Sequence, residues 1–197
     1  ITPETAMEFV RWLLEGYGHD STATWLLDWR EIHVLVTGNP DGHARNEATY
    51  SYWRKNVNPE NAGACLGSYG TDLNRNFSFQ WGAPGASPCP CNEVYRGASA
   101  ASDLETQAIQ DYVVGLFPDQ RGPLITDMAP LTTTGLLISL HSYSDLVLWP
   151  WGFTEGLAPN DAQLAQLGAE FAHYNGYTAE PAHGLYATSG TTDDWSY

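Results

Sequence analysis

Residues 135–152 (GLLISLHSYSDLVLWPWG) constrain the fold more than any other stretch of this chain. Residues 136–140 form an apolar run with the length and character of a strand buried on both faces. His141 follows where the run ends, and ligands of open α/β sheets bind at the carboxyl ends of strands. A second apolar run, residues 146–149, is predicted to be the partner strand. The stretch therefore predicts a sheet edge with a histidine placed for chemistry, although a lone histidine there is also typical of a protein core.

Apolar residues at helical spacing predict the layers around this sheet. Thr2 is predicted to cap a first helix, which Gly18 ends. Residues 102–105 (SDLE) form a capping-box pattern before a second amphipathic helix. Asn160 is predicted to cap a third helix, which Gly176 ends. Helices that alternate with buried strands indicate an α/β fold with a mixed, mostly parallel sheet flanked by helices.

The remaining segments are predicted from shorter patterns. Residues 31–37 are expected to form another buried strand, and residues 38–42 (GNPDG) are expected to form a turn after it. Residues 21–27 are expected to add one helical turn. Residues 46–101 are rich in Asn, Gly, Pro and Ser and are expected to be irregular, as is the stretch 178–197. A long irregular segment inside a compact domain is usually functional.

Size and charge exclude some classes of partner. The 197 residues are expected to form a single domain, residues 1–197, with a sizeable core. The net charge of −15, with 8 Lys plus Arg against 23 Asp plus Glu, argues against nucleic-acid binding, which depends on cationic contacts to phosphate. No apolar run approaches the roughly 20 residues that span a bilayer. We therefore expect a monomer that binds neither nucleic acid nor membrane, and no export signal within this chain.

The cysteines allow two interpretations, a metal site or a disulfide. Cys89 and Cys91 form a Cys-x-Cys pair, but the sequence offers no second close Cys or His pair to complete a tetrahedral set. A disulfide with Cys65 is the better interpretation, and a loop of this size stabilises the folded state by roughly 3–4 kcal/mol. An oxidising, secreted setting follows from it.

Local motifs distributed along the chain resemble a known family. Together, and in this order, they resemble the zinc carboxypeptidases of the carboxypeptidase A/B type over essentially the whole chain. The resemblance implies a Zn²⁺-dependent hydrolase of C-terminal peptide bonds, whose zinc-bound water is promoted by a glutamate. Peptide and protein C-termini are then the expected partners. The motifs are residues 39–42 (NPDG), 52–55 (YWRK), 72–77 (DLNRNF), 140–144 (LHSYS) and 186–197 (YATSGTTDDWSY).

The resemblance assigns a role to each candidate substrate-recognition residue. Arg54 matches the arginine that polarises the scissile carbonyl and stabilises its oxyanion. Asn74 and Arg75 match the clamp on the C-terminal carboxylate, for which a planar guanidinium is well suited. Tyr186 matches a mobile tyrosine that closes over bound substrate. Asp193 matches the base of the side-chain pocket, where a carboxylate favours C-terminal Lys or Arg. The alternative to a substrate-binding role for each arginine is a surface salt bridge.

The metal site is incomplete in this sequence by the same comparison. His141 matches the last zinc ligand of the family, but the other two ligands belong to a His-x-x-Glu pair that would precede Ile1, and the general base would follow Tyr197. His43 and Glu47 are expected in a loop and do not replace that pair. The chain alone is therefore expected to be inactive.

Two further features are implied by the family. Tyr143, in the His-Ser-Tyr-Ser segment, is assigned to substrate binding, and the Ser142–Tyr143 peptide bond is expected to be cis. The disulfide-bonded cysteine of the family lies just before a Glu-x-Tyr-x-Gly segment, which here is residues 93–97. The resemblance therefore favours a Cys65–Cys91 disulfide, with Cys89 outside it.

Two other classes of function remain open. One is an amidohydrolase of the same fold that acts on cell-wall or other amides, although the carboxylate clamp counts against it. The other is a non-catalytic carboxylate-binding module, since the chain has the clamp motif without the full set of metal ligands.

Overall fold

A computed structural model describes residues 1–49 and 51–197, which form two compact units. The first unit is Ile1–Gly38 with Leu140–Tyr143, and the second is Asn39–Ser139 with Ser144–Tyr197. Within these residues, no helix combines the length and hydropathy needed to cross a bilayer. The regular elements are α1 (Thr2–Gly16), α2 (Ser21–Trp29), α3 (Pro40–Thr49), α4 (Leu104–Leu116), β1 (Leu146–Trp149), α5 (Asp161–Asn175), β2 (Thr178–Pro181) and α6 (Thr192–Ser196).

The first unit is built on the packing of α1 against α2. Its buried side chains are small or aliphatic, including Leu13 of α1 and Ala23 of α2. A Cβ on Gly16 would lie 2.9 Å from the Cβ of Ala23, so glycine allows the two helices to approach closely. The carboxylate of Asp20 caps α2 by accepting hydrogen bonds from the backbone amides of Thr22 and Ala23.

The second unit contains a β–α–β arrangement. β1 and β2 pair in parallel, with Leu146 opposite Thr178 and Trp149 opposite Pro181, and α5 connects them and packs on both. A Cβ on Gly168 would lie 2.7 Å from the ring of Trp149, so the helix lies close to the strand there. Gly176 ends α5 with φ of +73°, as the sequence predicts. The α/β fold with a parallel sheet is confirmed.

Two predicted strands are wrong. Residues 31–37 and residues 136–140 are irregular, and Leu136, Ile138 and Leu140 are exposed rather than buried. The partner of β1 is β2, not residues 136–140. A strand is defined by backbone pairing with another strand, and within residues 1–49 and 51–197 neither run is among the β-strands. An apolar run indicates a tendency to be buried but does not identify its partner.

Regular structure also appears where the sequence predicts turns and loops. α3 begins at Pro40, because Oδ1 of Asn39 accepts a hydrogen bond from the amide of Gly42 at 3.0 Å and so caps a helix rather than closing a turn. His43 and Glu47 therefore lie on a helix, where Nε2 and Oε1 are 3.5 Å apart. The stretch 178–197, predicted to be irregular, contains β2 and α6.

Two helix starts also differ from the prediction. Ile1 rather than Thr2 occupies the N-cap position of α1. The expected capping box at residues 102–105 does not form, because Asp103 is the N-cap residue of α4 and makes no side-chain cap bond. Instead the hydroxyl of Ser102 donates to Oδ2 of Asp103 at 2.9 Å.

Candidate active site

The segment that carries Arg54 is held by both ends of α3. Nδ2 of Asn39 donates to the carbonyl oxygens of Arg54 and Lys55 at 3.3 and 3.1 Å. At the other end of the helix, Asn46 pairs with Trp53: its Oδ1 accepts from the amide at 2.6 Å and its Nδ2 donates to the carbonyl at 2.8 Å. Both neighbours of Arg54 are thus held by hydrogen bonds, and Asn39 of the NPDG motif contacts the YWRK motif directly.

Lys55 anchors the same segment to the disulfide-bonded loop. Its side chain is almost fully buried, and Nζ donates to the carbonyl oxygens of Ser68 and Pro90 at 2.9 and 2.7 Å. Burial lowers the pKa of Lys55 from its ordinary value. The predicted disulfide between Cys65 and Cys91 is confirmed and closes this loop.

Arg54 is paired with a buried carboxylate. Its Nε donates to Oδ2 of Asp72 at 2.7 Å, and the Arg54 side chain is 38% exposed whereas that of Asp72 is 3% exposed. Burial lowers the pKa of Arg54, but the charge and hydrogen bond of Asp72 outweigh it, so the pKa lies above its ordinary value. The phenol of Tyr186 and the carboxylate of Glu93 are near enough to raise it further. Arg54 and Tyr186 therefore lie within electrostatic range of each other.

Asn74 and Arg75 follow Asp72 in a single 3₁₀ turn, Leu73–Arg75. Arg75 is buried: Nε donates to the carbonyl of Gly85 at 2.9 Å and Nη1 donates to that of Asn74 at 2.6 Å. Oδ1 of Asn74 accepts from both the amide and the hydroxyl of Thr192, at 2.9 and 3.0 Å. The Arg75 guanidinium is therefore more buried than we would expect for a carboxylate-binding arginine at the surface. The side-chain amide of Asn74 is fixed in orientation.

The C-terminal segment presents Tyr186 and Asp193. The Tyr186 side chain is 52% exposed, whereas Ser189, close by in sequence, is buried and its hydroxyl donates to the carbonyl of Ala83 at 2.7 Å. Asp193 is partly buried in the first turn of α6. The next residue, Asp194, is buried, and its carboxylate accepts from the backbone amides of Gly152 and Phe153 at 2.8 and 3.2 Å.

The Asp194 carboxylate has a perturbed protonation equilibrium. Burial raises its pKa from 3.8 to about 7, and the charge of Asp193 adds to this effect. The two backbone hydrogen bonds favour the charged form and act in the opposite direction. Asp194 thus titrates near neutral pH, and it follows the predicted specificity residue Asp193 in the sequence.

His141 and Tyr143 lie in the first unit, whereas the other candidate site residues lie in the second. Both side chains are exposed, Tyr143 by 84%. The predicted cis peptide bond between Ser142 and Tyr143 is present.

The side chains present do not make a complete zinc site. A catalytic zinc takes three protein ligands. Within residues 1–49 and 51–197, no group of three or more His, Cys, Asp or Glu side chains is arranged to hold a metal ion. The His43–Glu47 pair is one histidine and one carboxylate at 3.5 Å, with a 69% exposed Glu47 side chain. We therefore derive no chemical step through a metal from these residues.

Three side chains of this site were not identified from the sequence. Asp72 stands inside the DLNRNF motif, where an acid two residues before Asn74 was the available signal. Asn39 begins the NPDG motif, which indicated only a turn. Thr192 carries no local pattern at all, because its partner Asn74 is 118 residues away.

The fold and the candidate site together indicate a protein that binds a ligand with a carboxylate group. An α/β scaffold carries two arginines around one buried carboxylate, with a partly exposed tyrosine and an acid on the neighbouring C-terminal segment. Such an arrangement suits recognition of a carbonyl and a carboxylate on one ligand.

Comparison with known proteins identifies the family. The sequence model described as zinc carboxypeptidase matches residues 1–197, and the chain belongs to that family. It is 33% identical to carboxypeptidase A1 of Rattus norvegicus and 34% identical to carboxypeptidase B of Homo sapiens, over 100% of this chain and 44% and 45% of the relatives. A crystal structure of thrombin activatable fibrinolysis inhibitor matches 98% of this chain and 46% of its own, with 28% identity and a TM-score of 0.82. The chain thus spans less than half the length of these relatives.

Proposed function

We propose that residues 1–197 form the substrate-recognising part of a zinc-dependent carboxypeptidase domain that removes C-terminal residues from peptides. The observation that carries the proposal is the Arg54–Asp72 pair beside Asn74 and Arg75. Relatives named carboxypeptidase A1 and carboxypeptidase B support the same reaction class. The natural protein would then bind Zn²⁺ through His141 and ligands outside these residues.

Each residue has a task that follows from its chemistry. Nη groups of Arg54 donate to the carbonyl oxygen of the last peptide bond and stabilise the negative charge that develops there. Nδ2 of Asn74 and the remaining donors of Arg75 bind the terminal carboxylate, which positions that bond. Tyr186, exposed on its segment, closes over the bound residue. The family resemblance also assigns Tyr143 to substrate binding, and its side chain is exposed.

The side-chain preference follows from Asp193. A partly buried carboxylate at the base of a pocket attracts a cationic side chain and penalises an uncharged one. We therefore propose that C-terminal Lys and Arg are preferred. The disulfide fits a secreted protein, since such bonds persist in oxidising compartments.

The test uses metal analysis and peptide hydrolysis on the intact natural protein and on residues 1–197 alone. We expect about one zinc per chain in the intact protein. It should release arginine from a peptide ending in Arg and leave the C-terminally amidated peptide uncut. Residues 1–197 alone should hydrolyse neither peptide.

The other outcomes identify the competing classes. Hydrolysis of the amidated peptide would establish an amidohydrolase. Binding of the free-acid peptide without zinc or hydrolysis in the intact protein would establish a carboxylate-binding module.

A further inference from the structure

Asp72 occupies the centre of the arginine site. Its carboxylate accepts from Nε of Arg54 at 2.7 Å, and Nη1 of Arg75 lies 4.0 Å from the same Oδ2. The other oxygen, Oδ1, accepts from the amide of Asn74 at 3.2 Å. Its own backbone amide donates to the carbonyl of Tyr95 at 2.9 Å, so the main chain is fixed as well. One buried side chain therefore contacts each of the three candidate recognition residues.

We propose that Asp72 is the positioning residue of this site, which orients Arg54 for the substrate carbonyl and sets its spacing to the carboxylate-binding pair Asn74 and Arg75. The assignment of carbonyl and carboxylate to the two arginines rests on the proposed function. The orientation of Arg54 by Asp72 does not, and it can be tested without substrate.

The geometry determines which edge of the Arg54 guanidinium faces a ligand. Within the described residues, Nε is the only guanidinium nitrogen of Arg54 that donates a hydrogen bond, and its acceptor is Asp72. Because a guanidinium is a rigid planar fork, fixing Nε fixes the directions of both Nη groups. The Arg54 side chain is 38% exposed, so these groups remain available to a ligand. Without the carboxylate, the same side chain would sample several rotamers.

Charge balance gives Asp72 a second effect on the site. Two guanidinium groups beside one carboxylate leave a net charge of +1, which matches the single negative charge of a peptide C-terminus. Asp72 also reduces the repulsion between the two guanidinium groups before a ligand binds. Loss of this carboxylate would raise the net charge to +2 and strengthen the attraction for anions, so a loss of activity in Asp72→Asn would come from the orientation of Arg54 and not from weaker binding of the carboxylate.

A purely structural role is the alternative, and Asp103 provides the matched control. Asp103 is also buried, with its Oδ1 accepting from Nδ2 of Asn56 at 2.8 Å and its Oδ2 accepting from Ser102 at 2.9 Å, but it contacts neither arginine of the site. Asp72→Asn and Asp103→Asn thus both remove a buried, hydrogen-bonded carboxylate of nearly the same shape.

The first experiment observes the Arg54 Nε–H group by ¹⁵N NMR without ligand, in wild type, Asp72→Asn and Asp103→Asn. The resonance is assigned by its absence from Arg54→Lys. We expect its exchange with water to accelerate about tenfold in Asp72→Asn, since a charge-assisted hydrogen bond is lost. In Asp103→Asn, the exchange rate and the position of this resonance should be the same as in wild type. Equal changes in both variants, or no change in Asp72→Asn, would overturn the positioning role.

The second experiment separates orientation from stability by a double-mutant cycle in the intact natural protein. Asp72→Asn should lower kcat by about a hundredfold, while KM changes less than about threefold, because the carbonyl contact matters most in the transition state. In an Arg54→Ala background the same substitution should change kcat by less than about twofold. An undiminished loss in that background would show that Asp72 does not act through Arg54, and it would overturn the positioning role. If wild type does not hydrolyse peptides, the proposed function fails, and the NMR result still decides the role of Asp72.

Discussion

The backbone amide of Thr192 donates to Oδ1 of Asn74 at 2.9 Å, across 118 residues of sequence, and the Thr192 hydroxyl donates to the same oxygen at 3.0 Å. A second bond runs alongside, from the amide of Phe77 to the carbonyl of Gly190 at 3.0 Å. These contacts join the segment of the proposed carboxylate clamp to the segment that carries Asp193. The position of Asp193 relative to Asn74 is therefore set by hydrogen bonds of Thr192 and Gly190, none of which involves the side chain at 193.

Gly190 should be intolerant of a side chain because of this junction. Its φ is +64°, and an added Cβ would lie 2.5 Å from the carbonyl oxygen of Arg75. We expect Gly190→Ala to lower the free energy of unfolding by about 2–3 kcal/mol, from both the backbone conformation and the clash. Urea denaturation measures the loss.

Gly176 provides the control for that substitution. Its φ of +73° is similar, but nothing lies within 4 Å of an added Cβ. Gly176→Ala should therefore cost only about 1 kcal/mol. Equal losses at the two positions would contradict the close junction at Gly190.

Asp193→Asn should alter specificity while the reaction continues. In the intact protein we expect the ratio of kcat/KM for peptides ending in Arg to that for peptides ending in Phe to fall about tenfold to a hundredfold. Competition between the two peptides in one reaction measures this ratio. Asp111→Asn, an exposed acid on α4, is the control for a general change in net charge and should leave the ratio unaltered.

Asp194 should make stability depend on pH. Its pKa of about 7 in the folded state lies above the ordinary 3.8, so between these values the unfolded chain has released a proton that the folded chain retains. The contribution is fully present below about pH 4, and it is lost as pH rises through 7, with a slope of up to about 1.4 kcal/mol per pH unit.

The measurement compares wild type with Asp194→Asn by urea denaturation at several pH values from 4 to 8. The free energy of unfolding of wild type should fall relative to that of Asp194→Asn as pH rises from 4 to about 7. Asp193→Asn should move the transition to lower pH, because the charge of Asp193 raises the pKa of Asp194. A difference that does not vary with pH would contradict the assignment.

Removal of the disulfide should destabilise the second unit. Cys65 and Cys91 are 26 residues apart in sequence, and a loop of that length corresponds to about 3–4 kcal/mol in the chain-entropy account. We expect the double substitution Cys65→Ser with Cys91→Ser to lower the free energy of unfolding by that amount. Cys89→Ser, at an exposed and unbridged position, should change it by less than about 0.5 kcal/mol.

Sequence reasoning succeeded where the signal is local and periodic. α1, α5 and the end of α5 at Gly176 follow from apolar spacing and a glycine stop, and β1 follows from its apolar run. It failed where a partner decides the structure. β2 has the sequence TAEP, and its glutamate and proline are not typical of a strand. It is a strand because its backbone pairs with β1.

The same distinction applies to the site. Arg54, Asn74 and the disulfide pair could be located because each lies in a motif that resembles a family pattern. The groups that hold them could not, because Thr192 and Lys55 act through atoms distant in sequence. Residues 31–37 likewise carry the composition of a strand, yet composition does not report whether another strand lies beside them.

The exposed apolar side chains of Leu136, Ile138 and Leu140 have a consequence for the colloidal behaviour of this chain. Alternating apolar side chains on an exposed stretch favour strand pairing between molecules, whereas a net charge of −15 keeps the molecules apart. Salt screens that repulsion over a Debye length of about 8 Å at physiological ionic strength. Solubility of residues 1–197 should therefore fall as salt rises, and we expect the first contacts between molecules to involve residues 136–140.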